Sequence, residues 1–119
     1  MPSLEAGAVV WIECEDPNGK NRKQRPAVVI TAAVDIVAGG PIVAVAITTN
    51  LPNPLPDTHV LLPWSHRRHP RTSLTEPCAA HCAWIVPVPS DAEKAGYVSG
   101  KLLRAITDKV AALAKMPRQ

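Results

Sequence analysis

The sequence predicts a small, mostly antiparallel α+β domain in which several short strands precede one C-terminal helix. Short apolar, β-branched stretches recur along most of the chain, each bounded by proline, glycine, asparagine or aspartate. The C-terminal segment changes to helical spacing. The 119 residues contain no internal repeat and suffice for one hydrophobic core, so we expect a single domain over residues 1–119.

The first two strands flank a polar, basic loop. Residues 8–14 and 27–31 are apolar and β-branched without a helical period, and residues 16–19 (Asp-Pro-Asn-Gly) are a turn signal. Pro26 is expected to open the second strand, a position that proline tolerates. Four cations lie within the last six loop residues: Lys20, Arg22, Lys23 and Arg25. Such a loop between two buried strands favours phosphate binding.

The next three strands are expected after a connection over residues 32–40. Residues 42–49 are apolar on both faces, which is typical of a central strand. Residues 58–63 read as a fourth strand. Residues 78–88 form a fifth, in which Pro87 indicates a sheet edge or a strand end.

The chain then predicts a brief strand at residues 97–98 and a terminal helix over residues 100–115. Ser99 is its expected N-cap. One apolar stripe recurs at helical spacing and predicts packing on the sheet or on a partner: Leu102, Leu103, Ile106, Val110 and Leu113.

Charge is concentrated in two places. Net charge is only +3, yet residues 20–25 and 66–71 hold seven of the thirteen lysines and arginines. If the fold brings both clusters to one face, that face suits an anionic ligand; otherwise they are two solvated loops. The chain has three tryptophans, one tyrosine and no phenylalanine, which argues against a broad base-stacking platform.

The cysteines and the hydropathy pattern indicate a reducing, cytoplasmic setting. Cys14, Cys78 and Cys82 are odd in number and have no disulfide-framework spacing. The chain has no apolar run of membrane-spanning length, and no basic region precedes Glu5, so neither a membrane span nor a signal peptide is expected.

Zinc is the one metal for which the sequence contains candidate ligands. His66 and His69 are three residues apart, and Cys78, His81 and Cys82 follow. If residues 78–82 are a strand, the two sulfurs lie about 13 Å apart and cannot share one ion. We therefore expect no metal and no cofactor.

Several segments together resemble the MazF/PemK toxin family. Residues 7–11 (Gly-Ala-Val-Val-Trp), the Asp-Pro turn and residues 25–30 (Arg-Pro-Ala-Val-Val-Ile) are similar to its first two strands. Residues 45–48, 59–63 and 96–99 are similar to later segments. The resemblance covers most of the chain and implies an SH3-like barrel of about five to six antiparallel strands with a C-terminal α-helix, usually a homodimer.

The resemblance also implies an activity, that of a metal-independent endoribonuclease (mRNA interferase) on single-stranded RNA. The 2′-hydroxyl attacks the adjacent phosphate and leaves 2′,3′-cyclic phosphate and 5′-hydroxyl ends. By the same resemblance Arg25 and Thr48 are the catalytic residues, and a cognate antitoxin covers Arg25 with an acidic segment. Five cations are expected to bind the flanking phosphates of the RNA: Lys20, Arg22, Lys23, Arg67 and Arg68.

The sequence also departs from the family. Residues 83–86 (Ala-Trp-Ile-Val) stand where an acid, Gln, Ile and Arg are usual, and residues 20–22 (Lys-Asn-Arg) replace a common Ser-Glu-Gln. His81 is an available acid or base beside the altered strand, although a lone histidine in an apolar strand more often packs in the core.

Two alternatives remain open at this stage. One is a catalytically degenerate module of the same fold that binds RNA or a protein. The other, less favoured, is a CcdB-type gyrase poison, which lacks the Arg-Pro motif and ends in a Trp-Gly-Ile tail.

Overall fold

The computed structural model describes residues 4–16 and 18–114. In those ranges the chain forms six strands and two helices. The strands are β1 (Ala8–Cys14), β2 (Lys23–Val29), β3 (Val43–Thr48), β4 (His59–Leu62), β5 (Cys78–Pro87) and β6 (Lys94–Tyr97). The helices are α1 (Ala33–Val37) and α2 (Gly100–Ala114).

The strands form one antiparallel sheet in the order β4-β5-β3-β2-β1-β6, which curls into a half-barrel. The predicted fold class, an antiparallel sheet of five to six strands followed by a helix, is confirmed. The apolar strand β3 is central, as expected, since it pairs with both β2 and β5. Pro87 is the last residue of β5 and lies at a strand end, not at a sheet edge.

Three boundaries differ from the sequence prediction. Strand β2 begins at Lys23, because residues 23–26 continue the pairing with β1 as far as Cys14, so Arg25 and Pro26 lie inside a strand. Pairing with β3 starts only at Ala27, so the missing N–H of Pro26 costs no hydrogen bond on that side. The connection over residues 32–40 contains α1, and the last strand starts three residues earlier than expected, at Lys94.

Two apolar clusters lie on opposite faces of the sheet because side chains alternate along each strand. The first takes Val10 and Ile12 of β1 together with Trp84. The second takes Val9 and the helix α2, whose Ile106 is fully buried. The other members of the predicted stripe pack partly buried against the second cluster, so the helix packs on the sheet as expected.

The N-cap prediction at Ser99 is also confirmed. Its side-chain oxygen accepts a hydrogen bond from the backbone N–H of Leu102 (3.2 Å), which satisfies one free donor at the start of α2. Neither helix that the structure describes has the length and hydropathy needed to span a membrane.

The segment between β4 and β5 joins the two edges of the half-barrel. β4 and β6 are the edge strands, and the backbone N–H of Tyr97 in β6 donates to the carbonyl of Arg71 (2.8 Å). Thr72, a buried polar residue, donates through its hydroxyl to the carbonyl of Pro63 (2.8 Å). We call residues 63–77 the closing loop.

Candidate functional site

A cleft of about 400 Å³ lies where β2 and β3 reach the end of the sheet beside the closing loop. It contains both residues that the sequence singled out for catalysis, Arg25 and Thr48, and one predicted RNA-binding residue, Lys23. The remaining lining residues are Trp11, Gln24, Pro26, Ile47, Thr49, Asn50, Leu74, Thr75, Glu76 and Cys78.

Arg25 and Thr48 lie beyond the point where β2 and β3 are paired. The β2–β3 ladder ends at Ala27 and Ala46, and Arg25 and Thr48 lie two residues beyond that pair, one on each strand. Both residues line the cleft. The fold thus brings the two residues to one cleft.

The Arg25 guanidinium is held in place by the hairpin. Its Nε donates to the carbonyl of Cys14 (3.3 Å) and its Nη2 donates to the carbonyl of Asn21 (2.7 Å). The guanidinium carbon also lies 5.2 Å from the centre of the Trp84 ring. Two of the five N–H groups are used in this way, so three remain for a ligand.

The turn that supports Arg25 is organised by one carboxylate. Asp16 accepts from the backbone N–H groups of Asn18 and Lys20 (2.9 Å each) and from Nδ2 of Asn21 (2.7 Å). Hydrogen bonds from Lys20 and Asn21 lower the pKa of this carboxyl. The carbonyl of Asn21 that receives Arg25 is therefore fixed by its own side chain.

Thr48 keeps a free hydroxyl hydrogen. Its Oγ1 accepts the backbone N–H of Asn50 (3.0 Å), which turns the chain after β3 and orients the hydroxyl. The O–H is then available to donate to a bound oxygen atom.

The two basic clusters do not contribute equally to the cleft. Lys23 lines it, whereas Arg67 and Arg68 are exposed on the closing loop and are not among the lining residues. Arg22 makes exposed ion pairs with Glu13 (2.8 Å) and Glu15 (3.8 Å). Lys20 and Arg71 are also exposed, and neither residue lines the cleft.

A second cleft, of about 660 Å³, is lined by residues of the β1–β2 turn and the end of β5. Glu13, Glu15 and Asp16 line it with a single cation, Arg22, which already pairs with two of these acids. This excess of acidic residues disfavours the binding of a polyanion such as RNA. The first cleft, which contains Arg25 and Thr48, is therefore the better candidate site for a polyanion.

His81 lies in the sheet apart from the cleft. It is opposite His59 in the β4–β5 register, with ring centres 4.5 Å apart, and its Nδ1 is buried without a partner among the described residues. Burial lowers the pKa of both histidines. The Trp84 ring, 6.2 Å from that of His81, is the neighbour that both His81 and Arg25 contact.

The cysteines of the proposed zinc pattern lie on one strand. Cys78 and Cys82 both belong to β5, and the described residues contain no cluster of three or more histidine, cysteine or acidic side chains placed to hold a metal. Burial, together with the nearby charge of Glu76, raises the pKa of the Cys78 thiol to about 11. Cys78 is therefore a neutral thiol in the cleft wall at neutral pH.

Sequence reasoning did not single out Trp11 and Glu76, which both line the cleft. Trp11 is 46 % exposed although most of β1 is buried, and Glu76 comes from the closing loop. A large aromatic residue in the middle of a strand gives no sign of its exposure. The signal for Glu76, an acid just before Pro77 and β5, is too common to single it out.

Comparisons with known proteins identify the fold and the family. A comparison with curated proteins gave no match. The crystal structure of MazF from Deinococcus radiodurans superimposes with a TM-score of 0.72 at 20% identity, covering 98% of this chain and 100% of that one. Two MazE–MazF crystal structures from the same organism have TM-scores of 0.67 and 0.69 at 19% and 17% identity, with the same coverage.

These identities are low enough that the structures establish the fold alone. The sequence model of one family, described as the PemK-like, MazF-like toxin of type II toxin–antitoxin systems, matches residues 5–114. That match spans nearly the whole chain, and the chain therefore belongs to the PemK-like, MazF-like toxin family.

Proposed function

We propose that the protein is a toxin that cleaves single-stranded RNA without a metal ion, in the cytoplasm. The observation that carries this proposal is that Arg25 and Thr48 line the same cleft. The family match supports it, because the resemblance implies endoribonuclease activity for this fold and for these two positions.

In the proposed reaction the 2′-oxygen of one nucleotide attacks its own 3′-phosphate and the bond to the 5′-oxygen breaks. The three unused N–H groups of Arg25 can donate to the phosphoryl oxygens, on which negative charge grows. Thr48 supplies one further hydroxyl donor. Removing one such donor typically slows an enzyme by about 10²–10³.

The rigidity of Arg25 matters as much as its charge. Hydrogen bonds to Cys14 and Asn21 and the contact with Trp84 fix the guanidinium before a ligand arrives. A donor that is already oriented needs no reorganisation during the reaction. Lysine could not make the same bonds, because a guanidinium presents several N–H groups in a fixed fork.

The binding of flanking phosphates is assigned first to Lys23, which lines the cleft. Lys20, Arg67 and Arg68 are exposed cations outside it and would contact more distant phosphates. Arg22 is the weakest of the predicted RNA contacts, because two carboxylates already neutralise it.

The proposed protein partners are an antitoxin and a second copy of the chain. Two of the similar structures are those of MazE–MazF from Deinococcus radiodurans, and the likeness of fold supports a similar pairing here. An acidic, disordered segment of the antitoxin would occupy the cleft and compete with RNA for Arg25.

A second candidate function is a binding module that has lost catalysis. One observation favours it: in β5 Trp84 and Val86 belong to the first apolar cluster, so these positions offer no polar group to RNA. Such a module would still bind RNA through Lys23 and Arg25.

Cleavage of a mixed single-stranded RNA in EDTA by the pure protein decides between these functions. We expect discrete cuts with 2′,3′-cyclic ends, lost by at least a hundredfold in Arg25→Ala and not restored in Arg25→Lys. Absence of cleavage by the wild-type chain, with salt-sensitive RNA binding retained, would establish the binding module instead. Cuts that persist in Arg25→Ala would show that the activity comes from elsewhere.

A further inference from the structure

We propose that the cleft holds one nucleobase of the RNA and selects guanine, with Trp11 as its stacking surface and Glu76 as the residue that reads it. This inference deepens the proposed function, because it adds a sequence preference to the same site. It gives a role to Trp11 and Glu76, two cleft residues that the proposed reaction does not use.

The size and the walls of the cleft suit a flat aromatic ligand. Its volume of about 400 Å³ lies within the roughly 300–1,000 Å³ of small-ligand sites. Trp11 lies opposite Pro26 in the β1–β2 register, and both residues line the cleft. The indole is 46 % exposed in a strand whose apolar neighbours are buried, so it presents an unoccupied stacking surface.

The polar groups of the cleft select among the four bases. Glu76 is the one carboxylate among the described lining residues. A carboxylate has two acceptor oxygens and no donor, so it pairs best with two adjacent N–H groups. Guanine alone presents two adjacent N–H groups on its Watson–Crick edge, at N1 and N2. Adenine and cytosine each place an acceptor beside their amino group, and this acceptor would face the carboxylate unfavourably.

The location of Glu76 agrees with a role inside the cleft. Its negative charge is close enough to Cys78, another lining residue, to help raise the pKa of that thiol. Glu76 makes no ion pair among the described residues, so its carboxylate is not neutralised by a lysine or an arginine. Gln24 and Asn50 also line the cleft and are available for the remaining polar atoms of a base.

The proposed base site and the proposed catalytic residues share one cleft, so the choice of base and the cleavage of RNA would occur at the same place. Arg25 and Thr48 line the same cleft at the strand ends. A base stacked on Trp11 would therefore occupy the cleft that Arg25 and Thr48 also line. Cleavage is then expected at the phosphate adjoining a guanosine.

The test uses short single-stranded DNA, which lacks the 2′-hydroxyl and cannot be cleaved by the proposed reaction. Four pentanucleotides differ only in the central base, and their Kd values are measured by fluorescence anisotropy at one fixed salt concentration. We expect the guanine oligonucleotide to bind at least about tenfold more tightly than the others. A wild-type protein that binds all four equally would overturn the proposal.

Two variants and a control sharpen the result. Glu76→Gln gives the cleft one donor and one acceptor side by side, a pair that an edge of each of the four bases can match, so the preference for guanine should be lost. Trp11→Ala should weaken binding of all four by roughly tenfold without changing their order. Glu93→Gln, an exposed acid outside the cleft, should behave as wild type. A guanine preference that survives in Glu76→Gln would remove Glu76 from the proposal.

The same oligonucleotides made as RNA separate this inference from the proposed function. Guanine-selective binding without cleavage of the RNA would refute the ribonuclease and retain the base site. Cleavage without preference for guanosine would retain the ribonuclease and refute the base site.

Discussion

Arg25 and Trp84 form a cation–π pair that joins β2 to β5. The guanidinium carbon lies 5.2 Å from the centre of the indole ring, which is almost fully buried in the first apolar cluster. Trp84, one of the residues at positions 83–86 where the sequence departs from the family pattern, is thus in contact with the predicted catalytic arginine.

This contact predicts the behaviour of two variants at position 84. Trp84→Leu should lower the cleavage rate by roughly 2- to 30-fold, because a cation–π contact is worth about 0.5–2 kcal/mol. Trp84→Phe keeps an aromatic face and should retain most of the rate. Single-turnover cleavage at saturating protein measures the effect, and circular dichroism checks the fold. Equal rates in the two variants would mean that the aromatic face does not support Arg25.

Lys23 and Arg67 provide a matched test of which cations contact RNA. Each substitution to alanine removes one positive charge, but only Lys23 lines the cleft. Lys23→Ala should weaken RNA binding and reduce the slope of log K against log salt concentration by about 0.7, the value for one phosphate on a single strand. Arg67→Ala should change the slope much less. A larger change for Arg67 would show that the RNA follows the closing loop.

The half-buried pair His59 and His81 predicts how stability changes with pH. Burial lowers the pKa of His59 and His81 below the ordinary value of 6.5, so the unfolded chain binds protons more readily than the folded one. The free energy of unfolding should therefore fall as pH drops below about 6.5, and this loss should end below the folded pKa values. Above pH 7 these histidines should have no effect.

Variants at two histidines isolate that contribution. His81→Gln removes one half-buried titrating group, so the decrease in Tm between pH 7.5 and pH 5 should be smaller than in the wild-type chain. His66→Gln changes an exposed histidine of the closing loop and should leave the decrease unchanged. An identical decrease in all three proteins would exclude the pair as the cause.

The parts of the fold that were predictable are those with a local signal. Strand β3 and helix α2 carry their own apolar patterns, so both were found within one or two residues of their ends. The start of β2 was missed because Lys23 and Arg25 have no strand propensity and are extended only through pairing with β1. That pairing is a tertiary effect.

Only some residues of the candidate site could be predicted from the sequence. Arg25 and Thr48 were chosen through the family resemblance, and the structure shows that both line one cleft. Trp11 and Glu76 are 65 positions apart and line the same cleft only because the closing loop returns to it. No spacing in a single sequence could have paired them, and the same holds for the contact between His59 and His81.

The closure of the half-barrel depends on Gly96, and this gives the sharpest stability prediction. A Cβ at this position would lie 2.5–2.6 Å from the backbone of Arg71 and Thr72, which cannot move without breaking the closing loop away from β6. Gly96→Ala should lower the free energy of unfolding by about 1–3 kcal/mol, a decrease in Tm of roughly 4–15 °C.

Gly100→Ala is the matched control. A Cβ there meets no atom within 4 Å, and alanine suits the first residue of α2, so Tm should stay constant or rise slightly. If Gly96→Ala proves equally neutral in thermal denaturation, the loop does not hold the two edges together. If it is destabilising as expected, RNA binding should weaken with it, because the same loop carries Leu74 and Glu76 to the cleft.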